Sequence, residues 1–203
     1  MQHKTYKLFA LAALSAAAAF NVNAAINYEP FVGIDVGTNL TGQVRLKVNG
    51  PGVDAQEHAD LKTSMVFGLK GGVTLNQAHQ FSIGYDYREL GVKNGYGENA
   101  DVNTFYTQYD YLVPITQKLA WSVGGKFGYE THSGFEDANE LNGVVLGAQT
   151  GLNYRFNDWS IGTEVSYLTH FAESESLADG GRITSSYKIG NETFLTANVK
   201  YHF

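Results

Sequence analysis

From residue 32 onward the sequence alternates apolar and polar residues with a period of two, in eight separate runs. Period two marks a strand whose two faces meet different surroundings. In the first run Val32, Ile34 and Val36 oppose Gly33, Asp35 and Gly37. In the fifth, Leu119, Trp121, Val123, Phe127 and Tyr129 oppose Ser122, Gly124, Lys126, Gly128 and Glu130. The others cover about 64–73, 81–88, 108–113, 144–156, 159–167 and 195–203. Short turns fall near Asn76–Gln80, Pro114–Lys118 and Asn157–Asp158, and longer polar segments at about 38–60, 89–101, 131–142 and 169–191. Eight even strands with short turns at one rim and long loops at the other predict an all-β fold, an eight-stranded antiparallel up-and-down transmembrane β-barrel.

Residues 1–24 follow a different rule. Lys4 and Lys7 precede the uncharged apolar run Leu8–Phe20, and Val22-Asn23-Ala24 is a small-residue cleavage pattern. This is the build of a secretory signal peptide, cut after Ala24 or, next best, after Ala25. Residues 25–203 are then one domain. The apolar run is too short to span a bilayer, and no later segment could do so as a helix. A membrane-embedded mature chain must therefore be a closed barrel. There is no cysteine, which excludes disulfides, thiol chemistry and an N-terminal lipid anchor on Cys. The net charge of −6 argues against nucleic acid as a partner.

Alternation alone does not separate a membrane barrel from a soluble one with an apolar inside. The polar face decides it, because its mid-strand charges balance. Lys70, Arg88, Lys126, Arg155 and Lys200 stand against Asp35, Asp86, Asp110, Glu130 and Glu164. Ten of the 23 glycines share that face. Small residues beside long charged ones fill a narrow lumen. On the apolar face Trp121, Trp159 and Phe156 fall at the short-turn rim, and Tyr87, Tyr129 and Tyr167 nearer the long-loop rim. Such rings form an aromatic girdle at the two membrane interfaces.

Register follows from parity. A turn at Asn49-Gly50-Pro51-Gly52 would pair Val48 with Val53 and set Ile34 beside Phe67, so the first long loop reads as a hairpin continuing above the membrane. A two-residue turn sets Phe156 opposite Trp159.

The last strand, Leu195-x-Ala197-x-Val199-x-Tyr201-x-Phe203, resembles the C-terminal signature of bacterial outer-membrane proteins. With eight strands the chain resembles the small OmpA/OmpX-type barrels of the outer-membrane β-barrel domain family. The resemblance implies integral placement in a Gram-negative outer membrane, with Tyr201 and Phe203 in a signature read by the barrel-assembly machinery. It also implies delivery by periplasmic chaperones and contact with outer-membrane lipid and lipopolysaccharide. Unlike OmpA itself the sequence stops at Phe203, so no peptidoglycan-binding domain is expected.

Some barrels of this size act enzymatically on lipid A, and the deacylase uses a His-x-Ser pair. Here His170 is followed by Phe171 and Ala172, with Glu173 and Ser174 beyond in what reads as a polar loop. His58, His79 and His132 are scattered among loops and a turn, and no metal site, catalytic group or cofactor is expected. Buried charges need partners, so Lys70, Lys126 and Lys200 are expected to pair with Asp35, Asp86, Asp110 or Glu164. That reading is a salt-bridged plug; a narrow conducting pore is the alternative, and a lipid-modifying enzyme a third. The long loops are acidic, with residues such as Asp54, Glu57, Glu89, Glu98, Glu136 and Asp179 outnumbering Arg45, Lys47, Lys93, Arg182 and Lys188. This suits solubility first, and divalent cations shared with lipopolysaccharide second. The expected role is envelope support or display of loops to an extracellular ligand of unknown identity.

Overall fold

The computed structural model describes residues 27–93, 99–134, 138–178 and 183–203, with backbone alone at Val53 and 175–178. The expected signal peptide, and the loop residues Glu98, Glu136, Asp137, Asp179 and Arg182, lie outside the described residues. Twelve strands are described: β1 (Tyr28–Thr41), β2 (Gln43–Gly50), β3 (Val53–Asp60), β4 (Met65–Leu75), β5 (His79–Leu90) and β6 (Ala100–Pro114), then β7 (Leu119–Ser133), β8 (Gly143–Phe156), β9 (Trp159–His170), β10 (Ser174–Ala178), β11 (Ile183–Ile189) and β12 (Glu192–His202). Eight of them close a barrel in the order β1-β12-β9-β8-β7-β6-β5-β4, every pair antiparallel. Closure leaves no unpaired edge, which a strand in lipid cannot tolerate.

The barrel is inside-out relative to a soluble protein. Leu69, Ile34 and Phe127 are 61%, 58% and 56% exposed, while Lys70, Lys126 and Arg88 are 7%, 8% and 3% exposed. The apolar side chains of the alternating pattern cover the outer wall, where only hydrocarbon would make their exposure favourable. At the short-turn rim Trp159 meets Tyr201 edge-on at 5.0 Å, and Tyr201 meets the terminal Phe203 in the same way. The backbone N–H of Phe203 donates to the carbonyl of Pro30 at 3.0 Å, so the final residue is tied to the start of β1.

Register differs from expectation by two residues in the first hairpin. Ile34 pairs with Leu69, not Phe67, and Val48 with Ala55, not Val53. The turn is the tight pair Pro51-Gly52, with Gly52 at φ +78°, a conformation that glycine enters without a Cβ penalty. Alternation fixes only parity, and a shift of two preserves it. The β8–β9 turn is as the sequence implies, Phe156 opposite Trp159, with Asn157 at φ 54°.

The long connections hold more strand than their polarity suggested. The β2–β3 hairpin is joined along β2 by β11, which pairs with β10, giving a second, four-stranded sheet in the order β10-β11-β2-β3 at the long-loop rim. The segment 169–191 therefore contains two strands. Val44, Leu61, Leu90, Ala100, Val102, Leu141 and Ile189 are buried together and weld this sheet to the barrel mouth.

Candidate functional site

The inward side chains form three tiers. On the short-turn side and at mid-barrel lies a polar network. Lys70 Nζ sits 2.7 Å from Asp35 Oδ1. Lys126 Nζ lies 3.6 Å from Asp86 Oδ2 and 4.1 Å from the centre of the inward Tyr106 ring, a cation–π contact. Gln108 donates to Asp110 at 2.7 Å and to Glu164 at 3.1 Å, and Gln149 donates to Asp110 at 2.9 Å.

Two expected pairings are replaced here. Among the described residues Lys200 bonds no carboxylate; it donates to Gln80 at 2.8 Å and Asn153 at 3.1 Å, with the Phe31 ring 5.5 Å away. Asp110 and Glu164 are held by amides rather than by lysines. Glutamine and asparagine side chains thus take places in the bore that the lysines were expected to fill. Arg155 belongs to the short-turn rim, where it pairs with Glu29, a partner the alternating runs did not include.

The second tier is apolar. Val66, Val145, Leu168 and Phe194 point inward and pack together across the bore. Along β9 the inward order is Glu164, Ser166, Leu168, His170, and along β12 it is Lys200, Asn198, Thr196, Phe194, Glu192. Along these two strands apolar side chains thus lie between the inner network and an outer tier, while on β4 and β8 Val66 and Val145 stand level with Arg88 and His170 of that tier.

That outer tier is a charged cluster. Arg88 Nη1 lies 2.8 Å from Glu130 Oε1, and its Nη2 lies 2.6 Å from Glu192 Oε2. Thr104 donates to Glu130 at 2.8 Å. His170 Nδ1 faces the carbonyl of Gly190 at 2.8 Å and so donates to it. Its Nε2 lies 3.1 Å from Glu130 and 3.3 Å from Glu192, the distances of an ion pair when the ring is protonated. His132 is buried beside them, 3.9 Å from Glu130. Neither histidine belongs to a loop: His170 ends β9, and His132 lies on β7. Of this cluster the alternating pattern supplied Arg88 and Glu130 alone.

Outside, Trp121, Trp159, Phe156, Tyr129 and Tyr167 are exposed, and Tyr87 is half-buried with its hydroxyl donating to Asp101 at 2.7 Å. Trp121 Nε1 donates to Thr150 at 2.7 Å, satisfying its polar atom on the wall. Ser174 bonds Glu140, and no described contact joins it to His170. Among the described residues no group of three histidine or acidic side chains is placed to hold a metal.

No protein-family model matches the sequence, and no curated protein sequence does. Solved structures do. The chain superposes on the outer membrane protein OprG of Pseudomonas aeruginosa with a TM-score of 0.67 at 11% identity, covering 86% of this chain and 95% of that one. It is similar to Neisserial surface protein A (TM-score 0.54, 12% identity, 89% and 100% covered) and to the outer membrane protein AlkL determined in lipid bilayers (0.53, 16%, 90% and 93%). At such identities the likeness is one of fold. Joined to the apolar wall and the polar, filled lumen, it makes this chain an integral β-barrel of the small eight-stranded outer-membrane type.

Proposed function

We propose that the protein is a non-enzymatic, sealed outer-membrane barrel whose task is to hold a sheet outside the cell for surface interaction. The observation that carries this reading is continuity of register. The pairing that sets Ile34 beside Leu69 in the barrel also sets Val48 beside Ala55 in the hairpin, so β2 and β3 continue the geometry of β1 and β4. Joined by β10 and β11, they make a platform instead of a set of loose loops. A narrow channel is the second reading, and it has the polar inner network in its favour. The apolar cluster of Val66, Val145, Leu168 and Phe194 opposes it, because these side chains pack across the bore and fill space that a hydrated ion would need. The C-terminal strand supports the barrel-assembly machinery and periplasmic chaperones as partners.

Replacing residues 43–60 with a short turn tests the display role. The trimmed barrel should still reach the outer membrane and keep its heat-modifiable mobility, because β1 and β4 pair without the hairpin. Cells carrying it should lose surface adhesion to the level of the deletion strain. Unchanged adhesion, with detergent sensitivity as the deletion's sole phenotype, would replace display with envelope support.

A further inference from the structure

The loops are acidic in sequence, but folding gathers their cations. Pairing of β2 with β11 sets Arg45 directly opposite Lys188, and pairing of β2 with β3 sets Arg45 opposite His58. Lys47 is two residues along β2 and so on the same face. Like charges directly opposite destabilise a sheet unless something neutralises them. Among the described residues, Arg45, Lys47, Lys93 and Lys188 have no ion pair. In register on this face two carboxylates stand beside the row: Asp54 opposite Asn49 and Asp60 opposite Gln43. Asp60 accepts a bond from Gln43 at 3.2 Å.

Beside this row is a cavity of about 400 Å³, lined by Arg45, His58, Lys93 and Asp60 together with Leu40 and Tyr167. The last two place it. Tyr167 belongs to the outer girdle of the barrel wall and Leu40 is 52% exposed at the end of β1. The cavity thus joins the apolar wall below to the cationic face of the sheet above, at the height where lipid headgroups meet hydrocarbon.

We propose that this cavity binds the phosphate of an outer-leaflet lipid headgroup, with Arg45 and Lys93 as its cationic ligands, Lys47 and Lys188 adding to the local field, and Leu40 and Tyr167 against the proximal acyl chain. Arginine is suited to phosphate because its planar fork donates two parallel hydrogen bonds. Bound phosphate would relieve the Arg45–Lys188 repulsion, so lipid and sheet stabilise one another. The site rests on the outer-membrane placement of the barrel but not on its adhesive role.

The test uses the full mature protein in nanodiscs of phosphatidylcholine doped with diphosphoryl lipid A, or with the same lipid after phosphatase treatment, read by native mass spectrometry. Wild type should retain the diphosphoryl lipid in preference to the dephosphorylated one. The R45Q/K93Q variant should lose about thirty-fold in that preference, since each cation near the surface contributes about a fivefold factor. K118Q, which removes an exposed cation in the opposite, short-turn rim, should bind as wild type does. Free inorganic phosphate at millimolar concentration should compete weakly, because it lacks the acyl chain. Equal retention of both lipids by wild type, or undiminished retention by R45Q/K93Q, would overturn the proposal. Full displacement by inorganic phosphate would overturn the lipid assignment and leave an anion site. An adhesion assay that failed to respond to hairpin trimming would leave these outcomes intact.

Discussion

Arg88→Ala should destabilise the barrel by about 3–5 kcal/mol, the loss typical when one partner of a buried ion pair is removed. Its guanidinium is the shared partner of two carboxylates, Glu130 and Glu192, which are 1% and 0% exposed. Without it His170 alone faces both. Two anions a few ångströms apart in a low-dielectric bore repel strongly, and water enters or a carboxyl takes up a proton. Urea unfolding in liposomes reads the loss as a lower midpoint. The combined variant Arg88→Met, Glu130→Gln, Glu192→Gln should recover most of it, because it removes the charges together. A single Arg88→Ala with an unchanged midpoint would mean that the outer cluster does not hold the barrel.

Ile34→Arg should cost about 2–4 kcal/mol, the penalty for a cation at the bilayer midplane on a barrel's lipid face. Ile34 is flanked on the outer wall by Leu69 of β4 and Val199 of β12, so no polar group on its face receives the guanidinium. Ile115→Arg is the internal comparison. Ile115 is as exposed as Ile34, but it lies in the turn between β6 and β7, where an arginine should cost about 0–1 kcal/mol. Matching shifts in urea midpoint for the two variants would mean that the exposed apolar belt does not face hydrocarbon.

Much of the barrel was legible because lipid outside and polar packing inside write a period of two into each strand. Legibility failed where that contrast failed. In the first half of β6 the inward positions Ala100 and Val102 are apolar and the outward Asn103 and Thr107 are polar, so the strand read as beginning near Gln108. The same inversion hid the apolar cluster in the bore, since Leu168 and Phe194 occupy lumen positions that a polar rule reserves for charge. Glu192 and His170 lie just beyond those residues, at strand ends next to a polar segment, and took on the appearance of loop. Lys200 exposed a different limit. Its inward direction followed from parity, but its amide partners Gln80 and Asn153 come from β5 and β8, and no local pattern reports which strands meet across a bore. The cationic row at Arg45 was hidden for a related reason. Counted along the chain the loops are acidic, whereas β2–β3 and β2–β11 pairing sorts Arg45, Lys188 and His58 onto one face.

The central claim is that the bore is shut by the side chains that fill it, an inner polar network, an apolar cluster and an outer charged cluster. Single-channel recording of the purified protein in planar bilayers tests it most directly. Wild type should show no steady conductance, only rare and small openings, since eight strands enclose little more than their own side chains. Phe194→Ala, which removes the largest side chain of the apolar cluster, should make openings larger or more frequent. Steady, high conductance in wild type that Phe194→Ala leaves unchanged would contradict the sealed barrel and establish the channel in its place.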